Sequence, residues 1–302
     1  MAHTDPVTED TTAVDSAGLA PLPVRVRFCH AAVERVARGA SVQILHIKGP
    51  AAHPSLRDRS RTGSDADVIV RPDQATRLVD ALLSAGWSMR ARFATGSVFE
   101  HAATLWHVHW GYVDVHRAFP GVGVPAEVAF GRMWRDRRTI DLAGVACAVP
   151  SVPAPALLHI LHEARERLGE QHGADVRSAW VEADPDLRAA VAGLRDELRA
   201  EVAFAAATGG LERYQDHPEY RLWRHMRFGG SRLDEWRSRF AAAPSRRRAL
   251  VVIARSLRAN TDHLAMNLGR EPTRRERRDA ELRRVRTVVR DLTRLVRRRG
   301  SP

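Results

Sequence analysis

Ile44-Leu45-His46-Ile47-Lys48-Gly49-Pro50, followed after a polar stretch by Ser64-Asp65-Ala66-Asp67-Val68-Ile69-Val70, is the part of the chain that decides the fold. Residues 42–47 make a short apolar run of strand length that ends in a lysine–glycine turn. Residues 65–70 alternate, so that Asp65 and Asp67 share one face of a strand and Ala66, Val68 and Val70 the other. The segment between, 51–63, carries Arg57, Arg59 and Arg61 and reads as a loop or a short turn of helix. Among the 48 basic residues Lys48 is the only lysine. Arginine is a rigid planar fork, whereas lysine is a compact point charge on a flexible stem. Arginine at every other basic position reads as a compositional bias. The one lysine then marks a site that needs an ammonium, such as a phosphate contact, and the plainer reading is chance.

Working outward, 21–38 has a helical stripe of Val26, Ala32, Val33 and Val36, with Gly39 as its stop. Pro72-Asp73 opens a second helix whose Ala75, Leu78, Val79, Leu82 and Leu83 keep helical spacing up to Gly86. Strands are expected at 87–92, 105–110 and 112–116, with a short hairpin around Gly144 in 140–149. After Pro150 the pattern changes. Val152-Pro153-Ala154-Pro155 reads as a helix-opening linker, and helical spacing dominates at 156–168, 187–208, 233–240 and 246–268. The expected fold class is α/β of the α+β kind, a mixed β-sheet core with flanking helices, followed by an all-helical C-terminal domain. The expected boundaries are a disordered leader at 1–20, the core at 21–150, the helical domain at 151–269 and a basic amphipathic helix or tail at 270–302.

A chain of 302 residues has room for two such domains, and 44% hydrophobic with 28% charged residues is a globular composition. No apolar run approaches the roughly 20 residues of a membrane helix. The leader lacks the basic start and apolar stretch of a signal peptide, which gives a cytoplasmic expectation. Cys29 and Cys147 are too few for a disulfide framework or a zinc site by themselves, and their apolar flanks suggest buried thiols. The net charge of +12 is concentrated at one end. Residues 270–299 hold 13 arginines against five acids, a net +8, so everything else carries only +4. Charge alone is therefore a weak argument for nucleic-acid binding by the whole chain.

Two aspartates on one strand face bring their oxygens close enough to share one or two divalent ions. Hard oxygen ligands suit Mg²⁺, with Mn²⁺ as the alternative. Asp114, in Val113-Asp114-Val115-His116, lies on another alternating strand and would supply a third carboxylate. Asp65, Asp67 and Asp114 are thus the expected metal ligands and catalytic residues. In such a centre one ion activates an attacking hydroxyl and the other neutralises a triphosphate leaving group. Lys48 and Gly49, in the turn after a strand, are placed to grip the phosphate chain of an NTP such as ATP.

These residues together resemble the nucleotidyltransferase superfamily, which includes DNA polymerase β and the small antibiotic-modifying adenylyltransferases. More narrowly, they resemble a bacterial family of uncharacterised nucleotidyltransferases. The likeness rests on Ile47-Lys48-Gly49, Arg61, Asp65-Ala66-Asp67, Gly86-Trp87 and Asp114-Val115-His116, and spans roughly residues 40–120, with a weaker echo at 157–168. It implies a nucleotidyltransferase-type mixed sheet and transfer of an NMP to an acceptor hydroxyl with release of pyrophosphate. Arg61, just before the metal-binding strand, is then a triphosphate contact. His116, beside Asp114, orients the acceptor or a phosphate. Pro50 departs from the pattern by removing a backbone N–H that could touch phosphate, and Ala66 stands where a bulkier aliphatic is expected. Neither change removes a ligand.

Other features have plainer readings. His107 and His109 would share a strand face opposite Trp106, Val108 and Trp110, as its wetter side more readily than as a transition-metal site. His159 and His162 read as polar positions of a helix lining a cleft or solvent. Arg57 and Arg59 read as solvated. In the basic stretch that begins at Arg274 and ends at Arg299, Leu282, Val285, Val289, Leu292 and Val296 form a heptad-like stripe. That stripe suits packing on its own domain or on a second subunit, after those a nucleic acid, and third an anionic membrane surface. Two other functional classes stay open: the same fold as a catalytically inactive nucleotide-binding regulator, and a nucleic-acid-binding protein acting through 274–299. The acceptor is open too, as small molecule, peptide, protein or RNA.

Overall fold

Pro23 in the first turn starts helix α1 (Leu22–Gly39), and the edge strand β1 (Ile44–His46) follows. This computed structural model describes residues 20–57, 63–96, 99–230, 273–280, 282, 283 and 286. The leader, Arg59 and Arg61, the expected helices at 233–240 and 246–268, and most of the basic tail lie outside them. Of that tail, 274–280 is helical. The remaining elements are β2 (Asp65–Val70), α2 (Ala75–Ser84), β3 (Ser88–Ala91), α3 (Phe93–Gly96), β4 (Ala102–His107), β5 (Gly111–His116), α4 (Ala126–Arg135), β6 (Arg138–Leu142), β7 (Val145–Val149), α5 (Pro153–Glu163), α6 (Ala174–Val176), α7 (Pro185–Glu197), α8 (Glu201–Thr208) and α9 (Tyr220–Phe228).

The α+β class is as expected. Five strands form one mixed sheet in the order β1-β2-β5-β4-β3, and β6 pairs with β7 as a separate hairpin. Only β2 and β5 run parallel; the other neighbours in the sheet are antiparallel. A parallel pair needs a long crossover, and α2, β3, α3 and β4 supply it. Because β2 and β5 are parallel neighbours, Asp67 falls opposite Asp114.

Strand alternation divides the sheet into two apolar faces. Ala66, Val68, Val70, Val113, Val115 and Leu105 pack with Cys29 and Val33 of α1 and Leu78 and Leu82 of α2. On the other face Leu45 and Ile69 join Phe119 and residues of the helical half, among them Leu157, Leu161, Val191, Phe204 and Trp223. The helices after residue 150 therefore cover the face that carries Asp67. No helix among the described residues is long and apolar enough to cross a membrane.

The fourth strand sits three residues earlier than its aromatic alternation suggests. His107 pairs with Gly111, so 108–110 form the hairpin turn, and Gly111 takes a φ of +84° that favours glycine. Val108 is left exposed, and His107 packs on Trp87 at 4.7 Å between ring centroids. His107 and His109 therefore do not share a strand face. The expected 187–208 helix also breaks, into α7 and α8. Gly123 and Val124 donate to the Leu198 carbonyl at the break, and a Cβ on Gly123 would lie 2.6 Å from the Arg199 oxygen. A loop that must approach this closely needs glycine.

Candidate active site

Asp67 sits mid-strand, 5% exposed, with its Oδ1 accepting from Lys48 Nζ at 3.1 Å and from His116 Nε2 at 2.9 Å. A carboxylate only accepts, so the imidazole proton belongs on Nε2. Burial by itself would raise the pKa of Asp67, but the Lys48 charge and the His116 bond outweigh it and hold the carboxyl well below its usual range. Asp114 accepts from Thr104 Oγ1 at 2.6 Å, across the β4–β5 ladder where the two residues are opposed. One ligand atom each from Asp67, Asp114 and His116 lies within 4.8 Å of the others. Asp65, at the start of the same strand, is not in that group. Its carboxyl is pushed up to about 6 by burial, reinforced by the charges of Asp67 and Asp114.

The site residues expected from sequence are partly gathered here. Asp67, Asp114, His116 and Lys48 converge, and Asp65 lies within their electrostatic reach. Lys48 precedes the turn Gly49–Ala51, and Gly49 takes a φ of +56°. A Cβ on Gly63 would lie 3.9 Å from the Gly49 Cα, so residue 63 lies against the start of that turn. Arg57 braces that turn by donating to the carbonyls of Ala52 and Pro50, at 2.8 Å and 2.6 Å.

Thr104, Arg165 and His101, which also face this centre, carry no signal in the sequence. Thr104 holds Asp114 only because of the strand register. Arg165, just past α5, donates to His101 Nε2 at 3.1 Å. Burial lowers the Arg165 pKa and Asp67 opposes that shift, which couples this guanidinium to the carboxylates. His101 is pushed down to about 2 by burial and by the charges of His116, Arg165 and Lys48, so it stays neutral. His159, expected from the sequence to line a cleft or solvent, is buried, which likewise lowers its pKa. Together Lys48, Arg165, Thr104 and the imidazoles of His101, His116 and His159 surround a pair of adjacent carboxylates.

The donor set fits a hard divalent cation. Asp67 and Asp114 each use one oxygen in the hydrogen bonds above, and among the described residues their second oxygens take none. His116, whose Nε2–H is committed to Asp67, acts on the carboxylate's orientation and is not needed as a ligand. Crowding of three carboxylates is what Mg²⁺ or Mn²⁺ relieves.

The chain matches no family model and has no significant match among curated proteins. Among solved structures, an antigenic nucleotidyltransferase-like protein from Paracoccidioides brasiliensis is similar over 62% of this chain and 94% of its own, at 15% identity and a TM-score of 0.36. The antibiotic-resistance factor ANT(2'')-Ia is similar over 65% of this chain and all of its own, at 15% identity and a TM-score of 0.40. Similarity at this level transfers no activity, and the functional reading stands on the residues themselves.

Proposed function

We propose that the chain is a metal-dependent nucleotidyltransferase that moves an NMP from an NTP to an acceptor hydroxyl and releases pyrophosphate. The observation that carries this reading is the side-by-side placement of Asp67 and Asp114 on parallel strands, with Lys48 and His116 both bonded to Asp67. Asp65, Asp67 and Asp114 would hold Mg²⁺ or Mn²⁺, which when bound supplies charge for the triphosphate and acidifies the acceptor hydroxyl. His116 keeps the Asp67 carboxylate turned toward the centre. Lys48 gives its ammonium to the phosphate chain once the nucleotide arrives, and Arg165, with His101 behind it, adds a second donor from the helical side. Arg61 would join them from outside the described residues. The acceptor oxygen bonds to the α-phosphorus as the bond to the bridging oxygen of pyrophosphate breaks. The hydroxyl proton leaves toward Asp114.

The test is melting temperature against a panel of NTPs with Mg²⁺ or Mn²⁺, alongside pyrophosphate release with candidate acceptors. A nucleotide- and metal-dependent rise that Asp114→Asn loses is expected. Binding with no pyrophosphate under any acceptor would make the chain a nucleotide-binding regulator of the same fold. No response to any nucleotide–metal pair would sink the assignment.

Lys48→Arg keeps the charge but replaces a point donor 3.1 Å from Asp67 with a planar fork. We expect the nucleotide KM to rise about tenfold or more. Unchanged steady-state kinetics would reduce Lys48 to a structural partner of Asp67.

A further inference from the structure

On the opposite face of the sheet, away from Asp67, lies a second convergence of ligating side chains. Glu34 comes from α1, His46 from β1 and Cys147 from β7, and one ligand atom of each lies within 4.8 Å of the other two. We propose that Glu34, His46 and Cys147 form a second metal centre, one that takes a borderline-soft divalent ion such as Zn²⁺ and fastens the β6–β7 hairpin and α1 to the sheet edge.

The chemistry of the donor set is that of zinc and not of magnesium: one thiolate, one imidazole and one carboxylate. Bonds of about 2.0–2.3 Å in a tetrahedral site put ligand atoms about 3.3–3.8 Å apart, so a closure of about 1 Å at the widest pair suffices. His46 Nε2 already lies 3.1 Å from Glu34 Oε2. Both His46 and Cys147 are 0% exposed, so water does not compete for these positions. The thiol takes no hydrogen bond among the described residues.

The surroundings are arranged as a metal histidine requires. His46 Nδ1 lies 2.8 Å from Nδ1 of His30, itself fully buried, so the second nitrogen of the ligand is fixed by a neighbour. With no ion, His46 donates from Nε2 to Glu34, and His30 donates from Nδ1 to His46. With the ion on Nε2, His46 donates from Nδ1 to His30, and the proton of His30 moves to its own Nε2. The two imidazoles keep their two protons between them, and only the thiol proton is released. Charge balances as well: a thiolate and a carboxylate neutralise a dication. Arg38 remains on Glu34 Oε1 at 2.7 Å and also donates to the Ala146 carbonyl beside Cys147. Its side chain is 54% exposed, which makes it the movable lip of the site. Two residues past His46 is Lys48, so an ion here would stiffen the strand that delivers the phosphate turn.

The first experiment is metal analysis of the full-length protein purified without chelator, followed by replacement with Co²⁺. We expect about one zinc per chain and, with cobalt, an intense near-ultraviolet absorption from a thiolate ligand. Cys147→Ser should abolish that band and Cys29→Ala should keep it. Asp67→Asn should keep the zinc, and His30→Asn should weaken it about 10- to 100-fold. A chelator should lower the melting temperature of the wild type. If Cys147→Ser does not fold, the cobalt spectrum of the wild type still decides. Absence of zinc together with absence of a cobalt–thiolate band overturns the proposal. So does zinc that is lost in Asp67→Asn and retained in Cys147→Ser, since that ion would belong to the carboxylate centre.

Discussion

Asp67→Asn is expected to lower nucleotidyl transfer by about a thousandfold or more and to erase the nucleotide- and metal-dependent gain in melting temperature. The substitution is nearly isosteric, so the strand pairing beside Asp114 has no steric reason to change. What changes is charge and donor count. Asparagine offers one oxygen, which can still accept from Lys48 and His116, but an amide NH₂ replaces the second oxygen that is unbonded in the wild type. That amide repels a cation where the carboxylate would bind one. The Lys48 ammonium also loses its counter-charge in a largely buried position, and we expect a stability loss of about 1–3 kcal/mol. The two effects separate in measurement. Denaturant titration reads the stability loss, and pyrophosphate release at saturating nucleotide, in a variant shown to be folded, reads the chemistry. Turnover near the wild-type rate in a folded Asp67→Asn protein would remove this residue from the reaction.

The sheet strands that carry Asp67 and Asp114 were legible because residues 65–68 and 112–116 alternate, and alternation fixes which side chains share a face. The hairpin around Gly144 was legible for a similar reason: Ala143 and Gly144 take φ values of +53° and +79°, the two-residue turn that a small residue followed by glycine permits. Pairing was not legible. Nothing local states that β2 and β5 are parallel neighbours, yet that pairing sets Asp67 beside Asp114 and lets Thr104 reach it from β4. The same limit explains Arg165 and His101, which meet 64 residues apart in sequence. It also explains β4, whose aromatic alternation runs on through Val108 and Trp110 although pairing with β5 ends the strand at His107. Lys48 was recognisable as unusual by composition. Its contact with Asp67 depends on β1 pairing with β2, where Ile47 N–H donates to the Asp67 carbonyl at 3.1 Å, and no periodicity encodes that pairing.

Arg227→Met is expected to cost about 3–5 kcal/mol of folding stability, the largest loss we anticipate from a single substitution outside the carboxylate centre. Arg227 is 1% exposed on α9 and serves the segment that follows α5. Its Nε donates to the Gly169 carbonyl at 2.6 Å and its Nη1 to the Glu163 carbonyl at 3.1 Å, while Nη2 donates to the Gln171 carbonyl. Nη1 also lies 3.8 Å from the Glu163 carboxylate, which accepts from the backbone N–H groups of Gly173 at 2.6 Å and Val176 at 2.9 Å. Methionine keeps most of the stem's packing but leaves a buried carboxylate without its cation and takes the side-chain donor from three carbonyls, of which that of Glu163 keeps only the Glu166 N–H at 2.9 Å. A cost of that size should lower the melting temperature by about 10 °C. Arg224→Met, on the exposed face of the same helix, should change stability by less than about 0.5 kcal/mol. Arg165 lies inside the segment that Arg227 ties down, so the nucleotide-dependent gain in melting temperature should shrink in Arg227→Met even where the variant is fully folded. Equal stability of the two methionine variants would show that these buried bonds do not hold the helical wall of the site.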